Sequence, residues 1–205
     1  MARLEIRALS KETWDDFEAL FGERGACGGC WCMMPRLPRK EAEAGKGDRN
    51  RRAMRALVKG GRRTGYLAYE KGECLGWCSV EPRELLPALA RSRVLAPIDE
   101  EPVWSIVCLF VRKDRRRSGF SARMLDAVCR QAKKDGARII EAYPVEPYTE
   151  KMPDAFAWTG IASAYLKAGF AEAARRSAGR PIMRRVLVAA RGRRKTSPRG
   201  RSRVD

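Results

Sequence analysis

The sequence predicts an α/β fold in which helices flank one mixed β-sheet, and three observations carry that expectation. Two β-rich runs, Gly65 to Tyr69 and Cys74 to Val80, are separated by Glu70-Lys71-Gly72-Glu73, a spacing and composition that predict an antiparallel hairpin. Val103 to Val111 is the most continuous apolar run in the chain and reads as a strand buried on both faces. It is followed by a basic glycine-containing loop, an amphipathic helix and another β-rich run, the order of a right-handed crossover between parallel strands.

Taken in order, Leu4, Ile6 and Ala8 alternate with charged residues as a short strand, and Ser10 opens an acidic amphipathic helix through Trp14, Phe17, Leu20 and Phe21. Gly22 to Pro38, rich in Gly, Cys, Met and Pro, is expected to be irregular; Glu41 to Lys59 reads as one helix with Met54, Leu57 and Val58 on its apolar face. After the hairpin and the central strand, a helix is expected to begin near Ser118 and run to Lys134, with Met124, Leu125, Val128 and Ala132 on one face. Arg138 to Tyr143 is the next strand, parallel to Val103–Val111. Ile161 to Lys167 is a short helix closed by a left-handed Gly169, and Ile182 to Val188 is a final strand. Residues 1–188 are thus expected to form one domain, with 189–205 a basic, disordered tail.

Composition narrows the chemistry. The 205 residues are 44% hydrophobic, enough for a sizeable core, and include seven cysteines and no histidine. An odd cysteine count argues against a disulfide framework, and the lack of imidazole removes the usual serine and cysteine triads and most histidine-containing zinc sites. The opening MARLEIRALS lacks the apolar run of a signal peptide, and no stretch approaches the roughly 18 apolar residues that span a bilayer. A soluble, cytoplasmic protein without a membrane partner is expected. Net charge is +18; the segment 189–205 holds seven Arg or Lys against one Asp, so most of the excess belongs to the rest of the chain and suits an anionic partner.

The loop after the central strand is where that partner is expected. A helix starting there offers backbone N–H groups without intrahelical acceptors, and the helix dipole favours an anion. Gly119 has no Cβ to keep phosphate oxygens from the backbone, and Arg115, Arg116 and Arg117 add charge-assisted hydrogen bonds.

The stretch Val111 to Leu125, VRKDRRRSGFSARML, resembles motif A of the GNAT acetyltransferases, in which an Arg/Gln-x-x-Gly-x-Gly/Ala signature opens the helix; here it reads Arg116-x-x-Gly119-x-Ser121. Gly136 before the next strand and Tyr165-Leu-Lys-Ala-Gly169-Phe170 are similar to further family features. The Cys30-Trp31-Cys32-Met33 segment and Glu141-Ala-Tyr143-Pro144-Val145 resemble a bacterial subgroup. The resemblance implies a largely antiparallel sheet with one splayed parallel pair, acetyl-CoA as acyl donor, no metal, and a small-molecule primary amine as acceptor, attacking the thioester directly. It implies that Leu109 and Val111 contact the pantetheine arm by their backbones, and that Arg116, Arg117, Ser118, Gly119, Phe120 and Ser121 wrap the pyrophosphate. Tyr165 takes the place of the tyrosine that protonates or hydrogen-bonds the departing sulfur in many members. The asparagine many relatives carry near this helix is missing; Trp158 and Thr159 stand there. The central strand has no carboxylate, so Glu81 and Glu141 are the candidate bases, acting through water, beside direct loss of the amine proton to solvent.

Other features admit other readings. Cys27-x-x-Cys30-x-Cys32 has thiolate-ligand spacing, but with no histidine and no second CxxC it is expected to shape a turn and the acceptor-side wall. The tail and the basic segment Arg36 to Arg63, with eleven Arg or Lys against three acids, could meet nucleic acid through phosphates, although the tail has no aromatic residue for stacking. Glu146, Glu150 and Asp154, with Asp99, Glu100 and Glu101, suggest an acidic mouth that would attract a cationic amine. A catalytically weak coenzyme A-binding module and a basic nucleic-acid-binding protein are the alternative functions; a homodimer is compatible with the sequence.

Overall fold

The computed structural model describes residues 3–147 and 153–188, leaving the expected tail at 189–205 outside the described residues. The elements follow as β1 (Glu5–Ala8), α1 (Trp14–Phe21), α2 (Arg39–Ala44), α3 (Asp48–Lys59), β2 (Tyr66–Glu70), β3 (Glu73–Pro82), α4 (Pro87–Ala90), β4 (Trp104–Val111), α5 (Phe120–Lys134), β5 (Ile139–Ala142), α6 (Ala162–Lys167), β6 (Ala171–Arg175) and β7 (Pro181–Val186). Among the described residues the strands form one sheet in the order β1-β2-β3-β4-β5-β7-β6. Every neighbouring pair is antiparallel except β4 and β5, which the α5 crossover makes parallel. The predicted mixed sheet with a single parallel pair is therefore what forms.

The hairpin turns on Lys71 and Gly72, both at positive φ (53° and 82°), the left-handed geometry whose twist matches that of the flanking strands. One face of the sheet is covered by α5 and α6: Met124, Leu125, Val128 and Ala132 are buried against Tyr66, Ala68, Ile106 and Ile140. Each large apolar side chain so buried contributes about 1.5–3 kcal/mol. On the other face Phe17 and Phe21 of α1, Met54 and Val58 of α3, and Trp31 pack over Leu67, Tyr69 and Trp77.

Two expectations need correction. The single helix expected over 41–59 is two, because the chain breaks at Gly45-Lys46-Gly47, where Gly47 has φ 89°. The break is fastened by Asn50, whose buried side chain donates to the Ala42 carbonyl near the end of α2 (2.8 Å), and by the Gly47 N–H donating to the Gly29 carbonyl (2.8 Å). Strand β6 was not expected at all. Its residues, Ala-Glu-Ala-Ala-Arg, favour a helix by propensity, but as an edge strand paired with β7 they take the conformation the sheet imposes.

Candidate active site

The parallel pair holds register for only three residues, Trp104 to Ile106 against Ile140 to Ala142, and then parts. The gap receives the segment before α6: the Leu109 N–H donates to the Trp158 carbonyl (2.8 Å), the Val145 N–H to Gly160 (2.9 Å) and the Ala162 N–H to Val145 (3.0 Å). On the other side of β4 the pairing with β3 skips from Ser79↔Cys108 to Val80↔Ile106. Val107 is thus an extra residue in a β-bulge, which bends the strand where it faces the gap.

Beyond β4 the chain makes a short turn over Lys113–Arg115 and reaches α5 through two left-handed residues, Arg117 (φ 60°) and Gly119 (φ 77°). The helix begins at Phe120, two residues later than expected, because the left-handed Gly119 occupies the capping position. No side chain caps it, so its first N–H groups face outward without a side-chain acceptor. The Arg116 Nε donates to the Val111 carbonyl (2.9 Å) and its guanidinium lies over Phe110; the Ser118 hydroxyl donates to the Arg115 carbonyl (2.7 Å). Arg116, Arg117 and Ser121 line a groove, whereas Ser118, Gly119 and Phe120 are not in its wall and the Phe120 side chain is buried in the core.

The groove, about 1070 Å³, runs from this turn along Val111 to Val107 and ends beside Tyr143, Trp158 and Arg180. Cys30, Cys32, Met34 and Pro35 form part of its opposite wall. Trp31 and Cys32 both have positive φ (44° and 57°), a costly conformation for residues with side chains. It turns the Trp31 indole into the core against Phe21 (5.5 Å between centroids) while Cys32 accepts from Trp77 Nε1 (3.0 Å). The hydrogen bond to Cys32, then burial, raises the Cys30 thiol far above its ordinary pKa, and burial does the same for Cys32. The Cys27 side chain is outside the described residues, among which no group of His, Cys, Asp or Glu is arranged to hold a metal ion.

Tyr165 is fully buried beneath the groove, and its hydroxyl donates to the Thr159 carbonyl (2.8 Å). Burial raises its pKa well above the ordinary value. Gly160 separates Tyr165 from Leu109: a Cβ there would lie 2.8 Å from the tyrosine ring and 3.0 Å from the leucine side chain. Glu81 is also buried, with Arg36 Nη2 at 2.6 Å from one oxygen and Arg62 Nε at 2.8 Å from the other; it is not part of the groove wall. Glu141 is clasped by Arg83 (3.2 Å) and Arg184 (2.7 Å), and accepts from the hydroxyl of Tyr143 (2.6 Å), which does line the groove.

Two of the carboxylates expected at an acidic mouth are paired with arginines. Asp99 is held by Arg184 (2.6 Å) and Glu146 by Arg175 (2.6 Å), and these hydrogen bonds keep both carboxyls below their ordinary pKa values. Glu150 and the Asp154 side chain lie outside the described residues. Among the described residues the groove wall carries Arg39, Lys46, Arg91, Arg116, Arg117 and Arg180 and one carboxylate, Glu43, which is paired with Lys46 (2.5 Å). Sequence reading missed Tyr143, Trp158 and Arg180 as wall residues; the exposed aromatic pair Phe156 and Trp158 before α6 was the signal available.

A family model described as "Acetyltransferase (GNAT) family" matches residues 31–157, more than half of the chain. The protein belongs to the GNAT acetyltransferase family. Its fold is similar to that of a GNAT-family acetyltransferase from Listeria monocytogenes (TM-score 0.54, 11% identity, 90% of this chain and 95% of that one). It is similar to one from Streptococcus agalactiae (TM-score 0.53, 14% identity, 89% and 95%). It is also similar to AAC(6')-Ib, whose structure is described as a complex with ribostamycin and coenzyme A (TM-score 0.52, 14% identity, 90% and 94%). At such identities the likeness shows the fold. Among curated proteins no sequence match was found.

Proposed function

We propose that the protein is a cytoplasmic N-acetyltransferase that transfers the acetyl group of acetyl-CoA to a primary amine of a small molecule. The observation that carries this reading is the single groove joining the uncapped start of α5 to the cavity at Trp158 along the splayed edge of β4. An anion fits the α5 end: the N–H groups of its first turn have no side-chain acceptor, and Arg117 has no ion pair among the described residues. In this reading Arg116, Arg117 and the backbone from Ser118 through Gly119 and Phe120 to Ser121 hold the pyrophosphate. Leu109 and Val111 flank the pantetheine arm, which would exchange for the contacts these residues now make with Trp158 and Arg116. The six described cysteines are unpaired, in keeping with a reducing compartment. Residues 1–188 act as the catalytic domain and 189–205 as an appended basic tail.

Acetyl-CoA supplies an activated thioester carbonyl and a thiolate that leaves readily. The groove holds the amine against that carbonyl and excludes water, so that most of the rate comes from orientation. Tyr165, on releasing the Thr159 carbonyl, would donate its proton towards the sulfur. Both carboxylates are held by two arginines, and Glu141 is the one we assign as proton acceptor because Tyr143 connects it to the groove, whereas Glu81 is not in the groove wall.

Calorimetry should show acetyl-CoA binding, and mass spectrometry should show acetylation of one class in a broad panel of primary amines. Acetyl-CoA binding with no amine acetylated would reduce the protein to a binding module. A Tyr165→Phe enzyme with unchanged turnover at saturating substrates would withdraw the role given to Tyr165.

A further inference from the structure

The acceptor end of the groove opens into a side cavity of about 550 Å³ whose wall is mainly apolar, Val94, Leu95, Val145, Phe156 and Trp158, with one carboxylate, Glu146, whose charge is taken by Arg175 (2.6 Å). Arg180 lines both the cavity and the groove. The arginines around it are consumed by structure. Arg176 donates to the carbonyls of Ala96 (2.5 Å) and Pro97 (3.0 Å), Arg83 to that of Leu95 (2.5 Å), and Arg175 and Arg184 are paired with carboxylates. These bonds fix the 94–97 loop against the β6–β7 connection and give the cavity a rigid wall. Arg180 is different: among the described residues its guanidinium has no hydrogen-bond acceptor and no carboxylate, and its one contact of note is with the face of Trp158, 5.7 Å from the ring centroid. Burial without a compensating partner lowers its pKa from the ordinary value. A half-buried guanidinium costs desolvation energy that the Trp158 ring returns only in part. Its place at the junction of two cavities, beside apolar walls, is what a ligand bearing an anionic group would satisfy.

We propose that the acceptor is a carboxylate-bearing primary amine of the amino-acid type with an apolar side chain, its carboxylate gripped by Arg180 and its side chain seated against Leu95, Phe156 and Trp158. The inference rests on the acetyltransferase reading and specifies its substrate class. A planar guanidinium matches a carboxylate in two-pronged fashion and discriminates strongly against a neutral amide of the same shape, which would leave the charge unpaired. The amine, held a short distance from the carboxylate by its own skeleton, then points along the groove towards β4.

The test uses the full-length protein loaded with coenzyme A and titrated calorimetrically with apolar L-amino acids, their carboxamides and the corresponding decarboxylated amines. At least one amino acid should bind roughly ten- to a hundred-fold more tightly than its carboxamide. That advantage should vanish in Arg180→Gln and persist in part in Arg180→Lys, with the melting temperature of each variant nearly unchanged because the contact of note that Arg180 makes is with the exposed ring of Trp158. With acetyl-CoA, kcat/KM calculated on free amine should follow the same ranking. Equal binding of acid and carboxamide, or an advantage that survives Arg180→Gln, overturns the inference. If only neutral or cationic amines are acetylated, the inference falls and the acetyltransferase reading stands. If acetyl-CoA binds and no amine reacts, both fall.

Discussion

Beside α5 the groove is lined by Arg116, Arg117 and Ser121 next to a helix start that no side chain caps, in a turn shaped by the left-handed Arg117 and Gly119. Beside Trp158 the wall is held by side chains instead: Arg83, Arg176 and Arg184 reach across segments up to 85 residues apart to carbonyls and carboxylates. The first arrangement depends on local chain geometry, and any sequence that makes strand, glycine turn and helix reproduces it. The second depends on which arginine finds which acceptor after folding, so its specificity changes with a few surface substitutions while the fold stays intact. A scaffold that keeps its donor site and varies its acceptor would be built this way.

The largest effect is expected where the acceptor wall is fastened to the sheet. Arg36 donates to the Cys32 carbonyl (2.5 Å), the Thr64 carbonyl (2.9 Å) and Ser79 (2.8 Å), and Glu81 balances its charge in the interior. Glu81→Ala leaves that guanidinium buried and unpaired, so urea unfolding should show a loss of about 3–5 kcal/mol. A loss below about 1 kcal/mol would mean that the wall is held by packing alone.

At the donor end a smaller change is expected, and of another kind. Gly119→Ala forces a side chain into the left-handed region at a cost of about 1–2 kcal/mol, although the space around it is open. Asparagine, which tolerates that conformation better, should recover part of the stability. Neither variant should restore full acetyl-CoA affinity by calorimetry if the anion lies against the backbone here; unchanged affinity would move the anion elsewhere.

The smallest effect is the pH response of the exposed pairs that tie the acceptor loops. The hydrogen bonds from Arg184 and Arg175 depress the carboxyls of Asp99 and Glu146 in the folded state. Groups with depressed folded values stabilise fully above their ordinary values, 3.8 and 4.5, and lose that contribution as the pH falls through the lower folded values. Urea unfolding should therefore change little between pH 7 and about pH 5 from these pairs and decline below pH 4, less steeply in Asp99→Asn. An equal acid slope in that variant would show that Asp99 contributes nothing.

The parts legible in the sequence were those set by neighbours along the chain. The run Val103 to Val111, the Lys71-Gly72 turn, the α5 face through Met124, Leu125, Val128 and Ala132, and the left-handed Gly169 follow from periodicity and from glycine's access to positive φ. The break at Gly45-Lys46-Gly47 was also written locally, in two glycines followed by Asp48, and was passed over because the flanking residues favour helix. Strand β6 was not legible, since its propensity points the other way and only β7 decides the matter.

For the site the division is sharper. By itself the sequence leads to the expectation of an anion after β4, because a helix start, a glycine and three arginines lie within seven consecutive residues. It could not determine the charge of the acceptor end. Asp99 and Glu146 read as part of an acidic mouth until folding brought Arg184 and Arg175 against them, and Arg180 was one arginine among many until folding left its guanidinium without a carboxylate among the described residues. Net electrostatics depends on distances of a few ångströms between residues far apart in the chain, and those distances exist only in the tertiary structure.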